Sequence, residues 1–211
     1  MERTIKAVLP PRRPNGKTTV IFDDGGAWKL LPQVAAEHGL VPGMELSEAE
    51  CSALESANSA ASARARAVRI VSAAAVSKRE LEHRLKQKGE NPEDAKNAVR
   101  WLEELDLLDD AETARQIVSR GVSRGYGAER IKQMLYAKRI PRSVWDEALE
   151  AIPDMSDALT DFLRKRLGEA PDEKTVRSAV QAALRRGYTW SEVRTAMERL
   201  RQDMDKSRSF A

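Results

Sequence analysis

The chain of 211 residues holds one cysteine, Cys51, so it can form neither an internal disulfide nor a Cys-rich zinc site. Its two histidines, His38 and His83, stand far apart, and no catalytic or structural metal is expected. It has no Gly-x-x-x-x-Gly-Lys loop, no Gly-x-Gly-x-x-Gly, no His-Glu-x-x-His and no Gly-x-Ser-x-Gly. Acidic pairs such as Asp109-Asp110 fall at helix starts, where carboxylates satisfy backbone amides. We therefore expect no catalytic residues, no cofactor and no enzyme. No apolar run approaches the ~20 residues of a membrane span. The best stretch, Ala67 to Val76, is broken by Arg69 and Ser72, and Met1-Glu2-Arg3 opens no signal-peptide stretch. A soluble, reduced, cytoplasmic protein without membrane contact is expected.

What is abundant is Ala, Glu, Arg, Leu and Lys, a composition that favours helices. Residues 1–46 differ from the rest. Ile5, Ala7 and Leu9 alternate, and Val20-Ile21-Phe22 precedes an Asp23-Asp24-Gly25-Gly26 turn and Ala27-Trp28-Lys29-Leu30. That pattern predicts a β-hairpin, followed by a short helix over Gln33–His38 that stops at Gly39. From Ser47 onward the signals are helical. Ser47-Glu48-Ala49-Glu50 and Ser77-Lys78-Arg79-Glu80 fit capping boxes, and Asn91-Pro92-Glu93-Asp94 supplies a cap, a proline and an acidic first turn. Asp109 with Glu112, and Thr189 with Glu192, repeat that logic; Pro141 can start a helix, and Gly168 and Pro171 break one.

The chain repeats itself. A shift of 50 places Leu81 on Ile131, Leu85 on Leu135, Lys88 on Lys138 and Ala98 on Ala148. A further shift of 48 places Leu135 on Ala183, Lys138 on Arg186, Ala148 on Ala196 and Ile152 on Leu200. Each copy holds two helices joined by a turn, and another helix precedes each pair, at about 59–75, 109–121 and 156–167. The expected fold class is an all-α main body of three tandem three-helix repeats in an elongated, curved array, behind a small N-terminal β-hairpin segment. The expected divisions are 1–46, then 47–108 for a leading helix and the first repeat, 109–153 for the second, 154–201 for the third, and a tail over 202–211.

Charge is unevenly spread. Between Thr113 and Trp145 stand Arg115, Arg120, Arg124, Arg130, Lys132, Lys138, Arg139 and Arg142 against the single acid Glu129, a net of +7 in a chain whose total is +3. A block of one sign in a balanced chain points to an acidic or polyanionic partner. Tyr126 in the Arg124–Gly127 loop, and Tyr136 between Lys132 and Arg139, add aromatic faces for bases. The loop also leads into a helix N-terminus, a place for phosphate or carboxylate. A secondary basic patch is expected from Arg164, Lys165 and Arg166 with Arg185 and Arg186. A solvated amphipathic face is the competing reading of the same charges. Trp145 aligns with Ala95 and Val193 and is assigned to the core.

Leu107-Leu108-Asp109-Asp110, Ala114, Arg124-Gly125-Tyr126-Gly127, Arg130-Ile131, Leu135 and Lys138 together resemble the central signature of the RecX regulatory proteins. Ser77 to Gly89, with Glu80-Leu81, Leu85 and Lys88-Gly89, resembles the family's preceding repeat; the likeness covers residues 60–155 and, more loosely, the third repeat and the N-terminal piece. The sequence departs from the family pattern at Thr113, Ala128 and Arg139, the last where a glycine usually follows the lysine. The resemblance implies a non-enzymatic modulator of the RecA recombinase, at work in DNA repair, recombination and the SOS response. Such proteins lie in the groove of the RecA nucleoprotein filament, restrain its recombinase and coprotease activities, and bind DNA. The expected partners are the RecA filament and single-stranded DNA, with double-stranded DNA as a further candidate, and the chain is expected to be a monomer. A stand-alone DNA-binding protein and an interaction scaffold without a nucleic-acid role are the alternatives.

Overall fold

The computed structural model describes the backbone of residues 2–168 and 171–209, and side chains as far as Asp203. Its strands are β1 (Arg3–Leu9), β2 (Thr18–Phe22), β3 (Ala27–Leu30) and β4 (Glu45–Leu46). Its helices are α1 (Pro32–Glu37), α2 (Glu48–Ala73), α3 (Lys78–Gln87), α4 (Pro92–Glu104), α5 (Asp110–Ser123), α6 (Ala128–Ala137), α7 (Trp145–Glu150), α8 (Ser156–Leu167), α9 (Glu173–Arg185) and α10 (Trp190–Ser209). A 3-10 turn over Arg142–Val144 leads into α7. The chain is thus mostly helical behind a small antiparallel sheet. Helix α10 continues through Ser209; of the expected 202–211 tail, Phe210 and Ala211 lie outside the described residues, as do the side chains from Met204.

The chain divides into two compact units, the first made of residues up to Ala75 together with Leu81–Leu108, the second of Val76–Glu80 and everything from Asp109. In the first unit the expected hairpin is part of a four-stranded antiparallel sheet ordered β3-β2-β1-β4. The alternation along β1 does not hold to its end. A register shift between Ile5 and Ala7 turns the strand, so Ile5 is buried, Val8 packs against the core and Leu9 is exposed. Ile5, Val20, Phe22, Leu30, Val34 and Leu54 form that core, and the Arg3 guanidinium covers it, 4.5 Å over the Phe22 ring and 2.7 Å from Asp24 Oδ2.

The expected leading helix from Ser47 and the expected helix over 59–75 are one continuous helix, α2, whose start carries the full capping box: Ser47 N–H donates to Glu50 Oε2 at 2.8 Å and Glu50 N–H to Ser47 Oγ at 3.3 Å. Ser62 and Arg66 of α2 reach Glu90 with hydrogen bonds of 3.3 and 2.5 Å.

The three copies share a helix ending in atomic detail. At the end of α3, α6 and α9 the residues Gly89, Arg139 and Gly187 have φ of 83°, 55° and 87°. Their amides donate to Lys86, Tyr136 and Leu184 carbonyls, and the next amides, of Glu90, Ile140 and Tyr188, reach back to Leu85, Leu135 and Ala183 at 3.1, 3.1 and 3.3 Å. This is the Schellman geometry, which favours glycine because a Cβ crowds the left-handed conformation. The second copy keeps the turn with an arginine. Its side chain explains the tolerance: Arg139 Nε lies 3.2 Å from Glu80 Oε2. Beside it the buried Ser77 hydroxyl donates to the Lys138 carbonyl at 2.7 Å and accepts from Glu80 N–H at 3.1 Å.

Those opposing terms make a prediction. Left-handed strain of about 1–2 kcal/mol at a non-glycine residue is set against an ion pair of up to about 1 kcal/mol. Arg139→Gly removes both and should melt within a few degrees of the parent, whereas Arg139→Ala removes only the pair and should melt lower than Arg139→Gly. Thermal denaturation followed by circular dichroism orders the three proteins; an alanine variant as stable as the glycine variant would contradict the account.

Core positions follow the repeat. Leu81, Leu85, Ile131, Leu135 and Ala183 are fully buried, as are Ala98, Ala148 and Ala196 on the partner helices. Trp145 is a core residue, and its indole N–H donates to the Ile140 carbonyl at 3.1 Å. Leu149 and Ile152 are half-buried where Val99 and Leu102 are buried, because α7 is only six residues long.

Candidate nucleic-acid and partner interface

Helix α5 starts at Asp109, whose Oδ1 accepts the amides of Ala111 at 2.7 Å and Glu112 at 3.1 Å. The Glu112 amide foremost holds the Asp109 carboxyl below the usual aspartate range. Asp109 is thus an anionic helix cap, as its position in the sequence suggests. The cations downstream sort by what faces them.

Several are compensated. Arg115 Nε is 3.0 Å from Glu112 Oε2 and its Nη1 is 3.2 Å from Glu147 Oε1; the hydrogen bond to Glu112 chiefly raises its pKa further. Lys132 pairs with Glu129 at 2.8 Å, Arg139 with Glu80, and Arg164 with Asp161 at 2.8 Å and Asp203 at 3.4 Å. Others lie on aromatic faces. Arg142 is 4.7 Å over Trp145, and Arg166 and Arg186 are 5.3 and 4.4 Å from the Phe162 ring centre. Among the described residues the Arg130 side chain hydrogen-bonds only the neutral Gln133 Oε1, at 3.0 Å. Arg120, Arg124 and Lys138 of the second copy, and Lys165 and Arg185 of the third, face no carboxylate among the described residues.

Arg120 and Arg124 stand one helical turn apart and both are exposed. Their charges are therefore available to an anion, as are those of the exposed Lys165 and Arg185. Exposed pairs such as Lys132–Glu129 are weak and leave part of their cation's field in solution.

Two expectations are corrected here. The N-terminus of α6 is not open to an anion: Gly127 N–H donates to the Arg186 carbonyl at 2.9 Å and Glu129 N–H to the Gly187 carbonyl at 3.2 Å. Tyr126 does not offer a free face either. It is half-buried against the core of α5, α6 and α7, and Arg186 lies 5.8 Å from its ring centre.

Arg186 is equally committed. Its Nη1 donates to the Arg124 and Gly125 carbonyls at 3.1 and 3.2 Å, and Tyr188 Oη donates to the Gly125 carbonyl at 3.2 Å. This loop-on-loop clamp between residues 124–129 and 186–188 ties the second copy to the third. The sequence carries the signal only as a glycine in each loop, Gly127 and Gly187. By contrast Tyr136 is 72% exposed.

Among the described residues no group of His, Cys, Asp and Glu could hold a metal, and no helix is long and apolar enough to cross a membrane.

Tandem helix repeats with a shared turn define a helical repeat protein, with uncompensated cations on its second and third copies. The family model described as RecX, second three-helix domain, matches residues 109–149, the copy that carries the basic block. The chain is 34% identical over 135 residues to the regulatory protein RecX of Chromohalobacter salexigens, a match covering 62% of this chain and 88% of the relative. It is also 34% identical over 143 residues to that of Cronobacter sakazakii, covering 61% and 86%. A crystal structure of regulatory protein RecX superposes with a TM-score of 0.65 over 93% of this chain and 99% of the other, at 20% identity. RecX from Lactobacillus salivarius superposes at 0.59 over 69% and 99%, also at 20% identity. The chain belongs to the RecX family of regulatory proteins, as the residues between Ser77 and Lys138 suggested.

Proposed function

We propose that this protein is a non-enzymatic, cytoplasmic regulator that binds the RecA recombinase filament as a monomer and restrains its recombination and coprotease activities. It touches DNA through the second and third repeats. Family membership supports the partner. The observation that carries the surface is the set of cations without a facing carboxylate, Arg120, Arg124, Lys138, Lys165 and Arg185, in the part of the chain that includes the family-model match. A nucleoprotein filament presents phosphates, and each cation that neutralises one releases counterions.

The test is DNA-dependent ATP hydrolysis by RecA on single-stranded DNA, titrated with the folded parent and with Arg120→Glu/Arg124→Glu. The parent should inhibit. Each reversal replaces attraction by repulsion, so half-inhibition should need on the order of tenfold more of the variant at low salt, with the gap narrowing as salt shortens the Debye length. Reversal of Lys88, Lys96 and Arg100 in the first repeat is the control, because acids of that repeat balance them; Lys96, for one, pairs with Glu93 at 2.9 Å. A parent without effect on RecA would overturn the partner. A double variant that inhibits like the parent would reduce the second-repeat cations to a solvated face.

A further inference from the structure

The geometry points to a second-repeat cleft, bounded by the end of α6 and residues 139–145, as a seat for single-stranded nucleic acid, with Tyr136 as the stacking platform. This deepens the proposed function and rests on its reading that the chain touches DNA.

The cleft encloses about 560 Å³, within the size range of small-ligand sites, and it lies wholly inside the second unit. It is lined by Arg79, Tyr136, Arg139, Ile140, Arg142 and Trp145, and among the described residues no carboxylate lines it. Tyr136 is 72% exposed, and its hydroxyl has no partner among the described residues. An aromatic ring left in water is a stacking surface awaiting a partner. The cations around it are of two kinds. Arg79 is exposed and faces no carboxylate among the described residues. Arg139 and Arg142 are held in place, the first by Glu80 at 3.2 Å and the second 4.7 Å over the Trp145 ring. Trp145 is itself fixed by its bond to the Ile140 carbonyl at 3.1 Å, so this wall is organised before anything binds.

The repeat frame isolates what is special here. The positions equivalent to Tyr136 are Lys86 and Leu184, those equivalent to Arg139 are Gly89 and Gly187, and those equivalent to Arg142 are Pro92 and Trp190. At these three positions the second copy combines an exposed ring with two arginines, whereas the third offers the exposed Trp190 without an arginine and the first neither. An acidic peptide would use the guanidinium groups but not the ring. A duplex would use them too, but its base faces are stacked away. An unpaired base offers a π-face to Tyr136 while its phosphates meet the arginines, and this combination characterises single-strand binding.

The experiment is fluorescence anisotropy of a labelled thymidine oligonucleotide, and of an abasic oligonucleotide of equal length, with the full chain in the absence of RecA. Tyr136→Ala should weaken thymidine binding about tenfold and leave abasic binding unchanged, while Tyr136→Phe should stay within about twofold of the parent, since the ring does the stacking. Arg79→Ala/Arg142→Ala should weaken both ligands and lower the salt slope by about 1.4, or 0.7 for each lost phosphate contact. The inference is overturned if the parent fails to bind, if it binds both oligonucleotides alike, or if Tyr136→Ala binds thymidine like the parent. Displacement of the oligonucleotide by polyglutamate of equal charge would also overturn it, in favour of an acidic peptide. None of these results touches inhibition of RecA, and a protein inert toward RecA but binding through Tyr136 would remove only the partner.

Discussion

Replacing Leu135 with Asp is expected to unfold at least the second repeat, while Arg120→Asp leaves the melting temperature within a few degrees. Leu135 is fully buried among Ala114, Ile117, Val118, Ile131, Ile140, Trp145 and Ala148. Truncation to alanine alone would cost about 2–5 kcal/mol through lost burial and the cavity left behind. A carboxyl at that place adds the cost of a buried polar group with no donor, several kcal/mol more, which rivals the stability of a whole domain of about 5–15 kcal/mol. Arg120 is exposed and faces no acid among the described residues, so its change alters no packing and breaks no pair there. Because Leu85 occupies the matching place in the first copy and is equally buried, Leu85→Asp should be as damaging. Thermal unfolding by circular dichroism separates these outcomes. A Leu135→Asp protein that melts with the parent would mean that Leu135 does not face the core.

The repeat could be read from the residues because everything it depends on is local. Helix periodicity, caps such as Ser47, Asn91 and Asp109, and turn residues such as Gly89 and Gly187 each act within five or six positions. Even β1 could be read until its register shift, which moves Val8 toward the core and Leu9 away for reasons that lie in the strand pairing. The candidate interface is of another kind. The basic block is visible as a count, but whether a cation is free depends on acids far away in the chain. Glu80 comes to Arg139 from 59 positions upstream and Glu147 to Arg115 from 32 downstream. The same holds for the two tyrosines. Tyr126 stood out in a basic Gly-x-Gly loop, yet residues some 60 positions later cover it. Tyr136, interleaved with Lys132 and Arg139 in the sequence, keeps an exposed ring. Charge and composition thus locate the basic copy, and the fold decides which of its side chains face outward.

The distant contact that covers Tyr126 leads to the second large effect. Gly187→Ala is expected to destabilise the second unit far more than Gly89→Ala does the first, although the two glycines have nearly the same backbone, φ 87° and 83°. Both substitutions place a Cβ in the left-handed region, at about 1–2 kcal/mol. At Gly89 nothing lies within 4 Å of the added carbon, so the strain is the whole cost. At Gly187 the added carbon would collide with the backbone nitrogen and α-carbon of Arg130, and backbone cannot swing aside as a side chain can. Relief requires the 186–188 turn to draw back from α6. That movement would break the Gly127–Arg186 and Glu129–Gly187 hydrogen bonds and strip the α6 N-terminus of its acceptors. Two lost bonds at about 1 kcal/mol each, the amides left without acceptors and the steric strain together bring the expected loss to about 4 kcal/mol or more. At about 2–4 °C per kcal/mol, Gly89→Ala should lower the melting temperature by a few degrees and Gly187→Ala by ten or more. Hydrogen exchange gives the local signature: the amides of Gly127 and Glu129 should lose protection in Gly187→Ala and keep it in Gly89→Ala. Equal losses in the two variants would show that the turns of the second and third repeats do not meet backbone to backbone, and that Arg186 and Tyr188 alone hold them together.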